Sequence, residues 1–200
     1  MNLFLRYYLP FFILVYLLVI FVLPTVRVYR QTGINPVTFG KTDNLHDYIG
    51  SVMKFLIILL LLIMMLFVVR SRIYDYLIPI YYLQYRWAQY LGLATLHISF
   101  LGIVIAQSQM RQSWRIGIDY ENKTQLVTNG FFKISRNPIY LFLLIGLIGL
   151  FLIVPNAVTF AVLFSTFLII QIAIRLEEEF LEKQHGEKYR QYKNKVHRLI

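Results

Sequence analysis

Long uninterrupted apolar runs, not short alternating ones, dominate the pattern of this chain. Leu3–Val26 carries one charge, Arg6, near its start. Phe55–Val69 is wholly apolar and extends back through Val52, with Lys54 placed to snorkel from its end. Trp87–Ala106 forms a third run. Ile139–Val154 and Ala157–Ile174, separated only by Pro155-Asn156, form a fourth and fifth. A bilayer core about 30 Å thick takes roughly 20 helical residues to cross. Lipid offers backbone polar groups no partner, so such runs must be helical. The pattern predicts an all-α, polytopic membrane bundle of about five transmembrane helices with a C-terminal cytoplasmic cap. The first run exceeds the ~7–15-residue core of a signal peptide and no small-x-small site follows it, so a retained helix is expected.

Polar stretches punctuate the runs. Arg27–Gly50 is rich in turn formers: Gly33, Asn35-Pro36, Gly40 and Asp43-Asn44. Its aromatic and polar mix (Tyr29, Phe39, His46, Asp47, Tyr48) favours an ordered cap over a floppy connector. Gln107–Asn137 is the least membrane-like segment. There Trp114–Asp119 reads as a short extended or interfacial piece and Thr128-Asn129-Gly130 as a turn. Asn137-Pro138 pairs a favoured N-cap with the residue best suited to the first helical position, so a helix starts at Pro138 and enters the membrane at once. After the hairpin, Phe180–Ile200 is polar with a helix break expected at Gly186. Phe180, Leu181, Tyr189, Tyr192 and Val196 can form an apolar side, which makes this tail an interfacial cap. The chain thus divides into residues 1–106, with three helices and a long inner loop at 27–50, and residues 107–200, with a hairpin at 138–176 and a tail at 177–200.

Composition agrees: 58% of residues are hydrophobic and 15% charged. The net charge of +10 matters through its distribution. With five spans and a cytoplasmic C-terminus, the inner segments hold sixteen of the 20 Lys and Arg, and the outer ones only Arg6, Arg70, Arg72 and Arg86. That is a positive-inside bias, expected of a multi-pass protein such as one of a bacterial inner membrane. No basic stripe sits on a recognisable nucleic-acid module, so no nucleic-acid partner is expected. With no cysteine, disulfides, thiolate metal sites and cysteine nucleophiles are excluded. No prenylation signal is evident at the C-terminus.

The candidate chemistry gathers at one membrane face. The hairpin returns Glu177-Glu178-Glu179 to the end where Arg136, Asn137 and Tyr140 stand. The helix start beside Arg136 is a natural anion site, although Arg136 is equally an ordinary positive-inside anchor. The glutamates are either a solvated acidic turn paired with Lys183, Arg190 or Arg175, or carboxylates that accept from a ligand's hydroxyls. His97, inside the third run, reads as a neutral histidine bonded to a neighbouring helix. Trp114, Tyr81, Tyr82, Tyr85 and Tyr90 suit interfacial aromatic belts. His46, His185 and His197 lack ligand-like spacing, so no metal is expected. No P-loop, dinucleotide fingerprint or nucleophile elbow occurs.

Ser113–Gly117, Leu126–Phe132, Arg136–Tyr140, then Glu177-Glu178, Phe180-Leu181, Gly186, Tyr189, Tyr192, Val196 and Arg198, in this order and spacing, resemble the isoprenylcysteine carboxyl methyltransferase family and its bacterial relatives. The likeness covers roughly residues 107 to 200. It implies a membrane methyltransferase holding S-adenosyl-L-methionine in a cytoplasm-facing pocket. The implied cofactor contacts fall on Thr124, Gln125, Leu126, Val127, Phe132, Asn137, Pro138, Ile139, Tyr140, Glu177 and Glu178. The family often has His at position 137 and Tyr at 132, where this chain has Asn and Phe. A lipid-like or prenylated acceptor is implied, methylated on a carboxylate, with Trp114, Arg115 and Arg175 as substrate contacts and Arg136 and Arg175 as catalytic residues. The alternatives are a phospholipid amine N-methyltransferase, a membrane reductase of the sterol-reductase kind, and a non-enzymatic scaffold or transport component.

Overall fold

A computed structural model describes residues 3–40, 44–69 and 72–200; Lys41 and Arg70, counted above by sidedness, lie outside these. The described chain is helical, its β-contacts being isolated bridges. α1 (Leu3–Leu17) and α2 (Leu23–Thr32) are joined by a π-helical stretch, Leu18–Val22, into one rod, Leu3–Thr32. α3 spans Leu45–Val68, α4 Arg86–Met110, α5 Pro138–Ile153, α6 Ala157–His185 and α7 Glu187–Lys195. Leu3–Thr32, α3, α4 and α6 are each long and apolar enough to cross a membrane, and α5 is a shorter apolar helix. The protein is a multi-pass membrane bundle. Large apolar side chains such as Phe11, Phe55, Leu101 and Phe164 stay exposed on its flanks, where lipid covers them.

The π-helical stretch has an identifiable cause. Pro24 has no N–H with which to reach the carbonyl of Ile20 four residues back, and its ring crowds that carbonyl. The buried Gln107 side chain of α4 donates to the Ile20 oxygen at 2.9 Å. A backbone defect is thereby converted into an interhelical tie.

α4 and α5 approach closely because small residues face each other. A Cβ on Gly92 would stand 2.6 Å from the Gly149 carbonyl oxygen, and one on Gly149 would stand 2.6 Å from Thr95 Oγ1. Gly102 is covered by the Phe142 ring. These glycines build the bundle itself. His97 behaves as the sequence suggests: Tyr8 donates to its Nε2, and its Nδ1 lies 2.7 Å from the Leu93 carbonyl it bonds. Trp114 differs from expectation. It is 3% exposed and belongs to the interior, not to an aromatic belt. Tyr81, Tyr82, Tyr85 and Tyr90 are exposed together, as a belt requires.

Two sets of loop contacts mark the two ends of the bundle. At one end Ile80 donates to the Pro155 carbonyl and Ala157 to that of Ile78, so the 78–80 segment crosses the tip of the α5–α6 hairpin. At the other, the loop after α2 pairs with the segment after α4: Thr38 N donates to Ile116 O and Ile116 N to Pro36 O. The C-terminal segment joins there too, with Arg136 N donating to His197 O. Residues 33–40 are thus tied down where the polar segments after α4 and α7 meet. Residues 27–32 and 45–50, read from sequence as parts of a loop, belong instead to α2 and α3, and residues 41–43 lie outside the described chain.

Candidate functional site

An open cleft with an empty volume of about 710 Å³, mouth included, lies at the polar end. Its walls come from three pieces of chain: the loop 110–119, the extended run Thr124–Val127 with Phe132, and the end of α6 with α7.

The first wall is stiffened by charge. Arg115 Nε donates to Asp119 Oδ2 at 2.9 Å, while its Nη1 donates to the carbonyls of Gln112 and Trp114. Among the described residues nothing engages its Nη2, which leaves a guanidinium edge on a side chain only 8% exposed. Asp119 Oδ1 also accepts from the backbone N–H groups of Glu121 and Asn122, which folds the loop into a turn. Burial pushes the Asp119 carboxyl up, but the Arg115 bond and those from Asn122 and Glu121 outweigh it and hold the group below the usual carboxylate range.

The second wall is fixed by its neighbours. Gln125 N donates to Ser113 Oγ at 3.1 Å. Gly130, at φ +60°, sits on the Gln109 amide, whose Oε1 accepts from Phe131 N. Tyr192 donates to the Phe132 carbonyl at 2.6 Å, and burial pushes its hydroxyl up to about 12.

The third wall separates two adjacent glutamates. Glu178 is 3% exposed. Arg136 reaches its Oε1 through both Nε and Nη2 at 2.9 Å, and Arg198 reaches its Oε2 at 2.8 and 3.1 Å. Arg136 Nη1 meanwhile donates to the carbonyls of Lys193 and Val196. Three of its five N–H groups thus donate inside the protein, and Nη2 is paired with the Glu178 carboxylate. Glu177 points elsewhere: it lines the cleft, with the Tyr140 hydroxyl against its carboxyl group. Tyr189 is 1% exposed and also lines the cleft, and no hydrogen bond engages its hydroxyl among the described residues. Burial, then the nearby Glu178 carboxylate, raises that hydroxyl.

The sequence-derived candidates divide accordingly. Thr124, Gln125, Leu126, Val127, Phe132, Glu177, Arg115 and Arg136 line the cleft together. Asn137, Pro138 and Ile139 start α5 behind the wall. Asn137 does not cap α5 with its side chain; it donates instead to the Arg198 carbonyl at 3.0 Å. Glu178 and most of Arg136 form an internal clamp, leaving little for a ligand. Arg175 is exposed, bonded to Gln171 one turn back, and away from the lining. At about 100° per residue it stands about 200° around α6 from Glu177, on the other side of the helix. Trp114 is packed inside. The sequence reading gave no role to Asp119 and named Arg198 only within the family signature, because neither charge has a partner legible in the sequence. It also gave Tyr189 and Tyr192 only an apolar role.

A family model described as phospholipid methyltransferase matches residues 87–188, half of the chain, and the chain belongs to that family. No curated protein matches it. The matched segment holds α4, the α5–α6 hairpin and most of the cleft lining. The protein is therefore a membrane methyltransferase of the type that includes both phospholipid and isoprenylcysteine enzymes.

Proposed function

From membership of the phospholipid methyltransferase family, we propose that this protein uses the cleft beneath the α5–α6 hairpin to methylate a membrane-embedded, lipid-like acceptor with S-adenosylmethionine. The observation that carries the reading is the sorting of the two glutamates: Glu178 is consumed by arginines, while Glu177 faces the cleft beside Tyr140.

The chain's own groups fit the ligand. When bound, S-adenosylmethionine supplies an electrophilic methyl group on a sulfonium sulfur. Arg115 offers two N–H groups at Nη2 to one carboxylate. Glu177 accepts from hydroxyl or amino groups, and Tyr189 has a hydroxyl to give. Leu126, Val127 and Phe132 cover an adenine and keep water from it. In-line methyl transfer relies chiefly on proximity and orientation, so a rigid, three-walled cleft suffices.

The charge arrangement also bears on the acceptor. The cofactor's own carboxylate takes the free edge of Arg115. Arg136 is engaged, and Arg175 lies on the far side of α6. Among the described residues lining the cleft a second anion therefore finds no free guanidinium, which favours an amine headgroup over the carboxylate expected from the isoprenylcysteine resemblance. An ammonium acceptor must lose a proton before its nitrogen can attack. Glu177 is the lining carboxylate not paired with an arginine. The carboxylate reading retains the support of the motif resemblance and needs no general base. The positive-inside charge bias supports a cytoplasmic cleft.

The test uses purified protein in detergent. Glu177→Ala should abolish S-adenosylmethionine binding measured by calorimetry, and wild-type affinity in that variant sinks the site. Labelled methyl transferred to extracted lipids should survive alkali if the acceptor is an amine, and be released if it is a carboxylate.

A further inference from the structure

The family match begins at residue 87, yet one wall of the cleft is held by a residue far upstream. His46 stands in the first turn of α3 and is 7% exposed. Its Nε2 accepts from the backbone N–H of Ile118 at 2.7 Å. A nitrogen that accepts here carries no proton, so the ring proton sits on Nδ1, which lies 3.3 Å from Asp47 Oδ1. The ring is stacked on Phe39 with centroids 4.4 Å apart, so its position is set independently of the wall it holds.

The wall fits closely against it. Gly117 has φ +93°, and a Cβ there would meet His46 Nε2 and Thr38 Oγ1 at 2.7 Å. Only glycine lets residues 116–118 press onto the ring. Thr38 locks the preceding residue, donating to Ile116 O through both N and Oγ1. A second route runs from His46 edge-on to Tyr120 and from Tyr120 to Phe180, which lines the cleft from α6. Immediately beside the held backbone stand the side chains of Arg115 and Asp119, a bonded pair that lines the cleft.

We propose that His46 is a positioning residue: it fixes the Gly117–Asp119 backbone so that the Arg115 edge faces the ligand, making the cofactor pocket depend on the N-terminal half of the chain. This rests on the reading of the cleft as an S-adenosylmethionine site. The role is that of a hydrogen-bond acceptor at the Nε2 position, which glutamine can supply and leucine cannot.

Full-length wild type, His46→Leu and His46→Gln, purified in detergent, are compared by two measurements. Hydrogen exchange of the peptide containing Ile118 reads the wall without reference to any ligand. Calorimetry reads S-adenosylmethionine affinity. His46→Leu should lose protection at Ile118 and bind about tenfold more weakly, with His46→Gln restoring most of both. Gly117→Ala, which pushes the wall off the ring from the other side, should reproduce the leucine phenotype with His46 intact. Unchanged exchange in His46→Leu, or glutamine behaving as leucine does, overturns the proposal. Wild type that binds no S-adenosylmethionine overturns the cofactor reading and the role toward Arg115 with it. The exchange data then report only whether His46 holds the wall.

Discussion

Replacing Glu178 by alanine while leaving Glu177 alone separates two neighbours that a sequence cannot tell apart. The Glu178 side chain is 4% exposed and receives Arg136, itself 9% exposed, together with the more accessible Arg198 at 36%. Removing the carboxylate leaves the Arg136 charge buried beside no anion. Breaking a buried pair in this way costs about 3–5 kcal/mol. Arg198 is reached by solvent, so its own deletion is screened and should cost only about 1 kcal/mol. For a chain of this length each kcal/mol lowers the melting temperature by about 2–4 °C. Glu178→Ala should therefore melt roughly 6–20 °C below wild type. Thermal unfolding in detergent, followed by loss of the monodisperse peak on size exclusion, measures this. Glu177→Ala should melt near wild type and fail to bind S-adenosylmethionine. If Glu178→Ala melts within a degree or two of wild type, the clamp is not structural. If the two variants exchange phenotypes, the assignment of the walls is reversed.

Other substitutions test the bundle that carries the site. Gln107→Leu removes the donor that answers the Ile20 carbonyl beside Pro24; it should cost about 1–3 kcal/mol, read by the same thermal assay, because a buried acceptor is left unpaired. Gly149→Leu places a side chain where Thr95 Oγ1 and the Gly92 carbonyl already stand within 2.7 Å of a Cβ. Forcing α4 and α5 apart should destabilise by about 1–3 kcal/mol and lower expression of folded protein. Arg111 holds φ +51°, a conformation costly for any residue with a Cβ. Arg111→Gly should raise the melting temperature by a few degrees, and a decrease would mean the side chain matters more than the strain.

What the sequence made legible follows from what lipid enforces. The apolar helices themselves were predictable because an unpaired backbone cannot sit in hydrocarbon, so hydropathy alone places their middles. Their ends were not, since α2 runs on to Thr32, α3 starts at Leu45 and α6 continues to His185 through polar residues. Pro138 at the first position of α5 and Gly186 at the break before α7, where φ is +56°, were legible because proline and glycine restrict or extend the backbone locally. The side-chain partners were not. Asn137 has the right type for an N-cap, but the Arg198 carbonyl of the C-terminal segment competes for its amide. Glu177 and Glu178 differ by about 100° around one helix, and which of them meets the clamp depends on where the last residues of the chain return. Arg175 looked close to the acidic run in sequence and lies on the wrong face for the same reason. The tail's own register, set by Arg136 N bonding His197 O, is a long-range contact with no local signature.

The cleft is consequently a property of more chain than the family match covers. Its floor and hairpin come from residues 87–188. The hydroxyl of Tyr192 that holds the Phe132 carbonyl, the Tyr189 ring in the wall and the Arg198 half of the clamp all lie beyond residue 188. The histidine against the Gly117 wall lies before residue 87. A membrane hairpin alone brings Asn137 and Glu177 to one face, but two ends of a hairpin enclose nothing. Closure comes from residues 36–38 after α2 on one side and the C-terminal segment on the other. Both are tied by hydrogen bonds to backbone groups, which fix the position of a wall without dictating which residues line it. On the function proposed above, such a scaffold can keep one methyl-donor site while its lining changes with the acceptor. That is the physical reason the family identifies the chemistry here more sharply than it identifies the lipid.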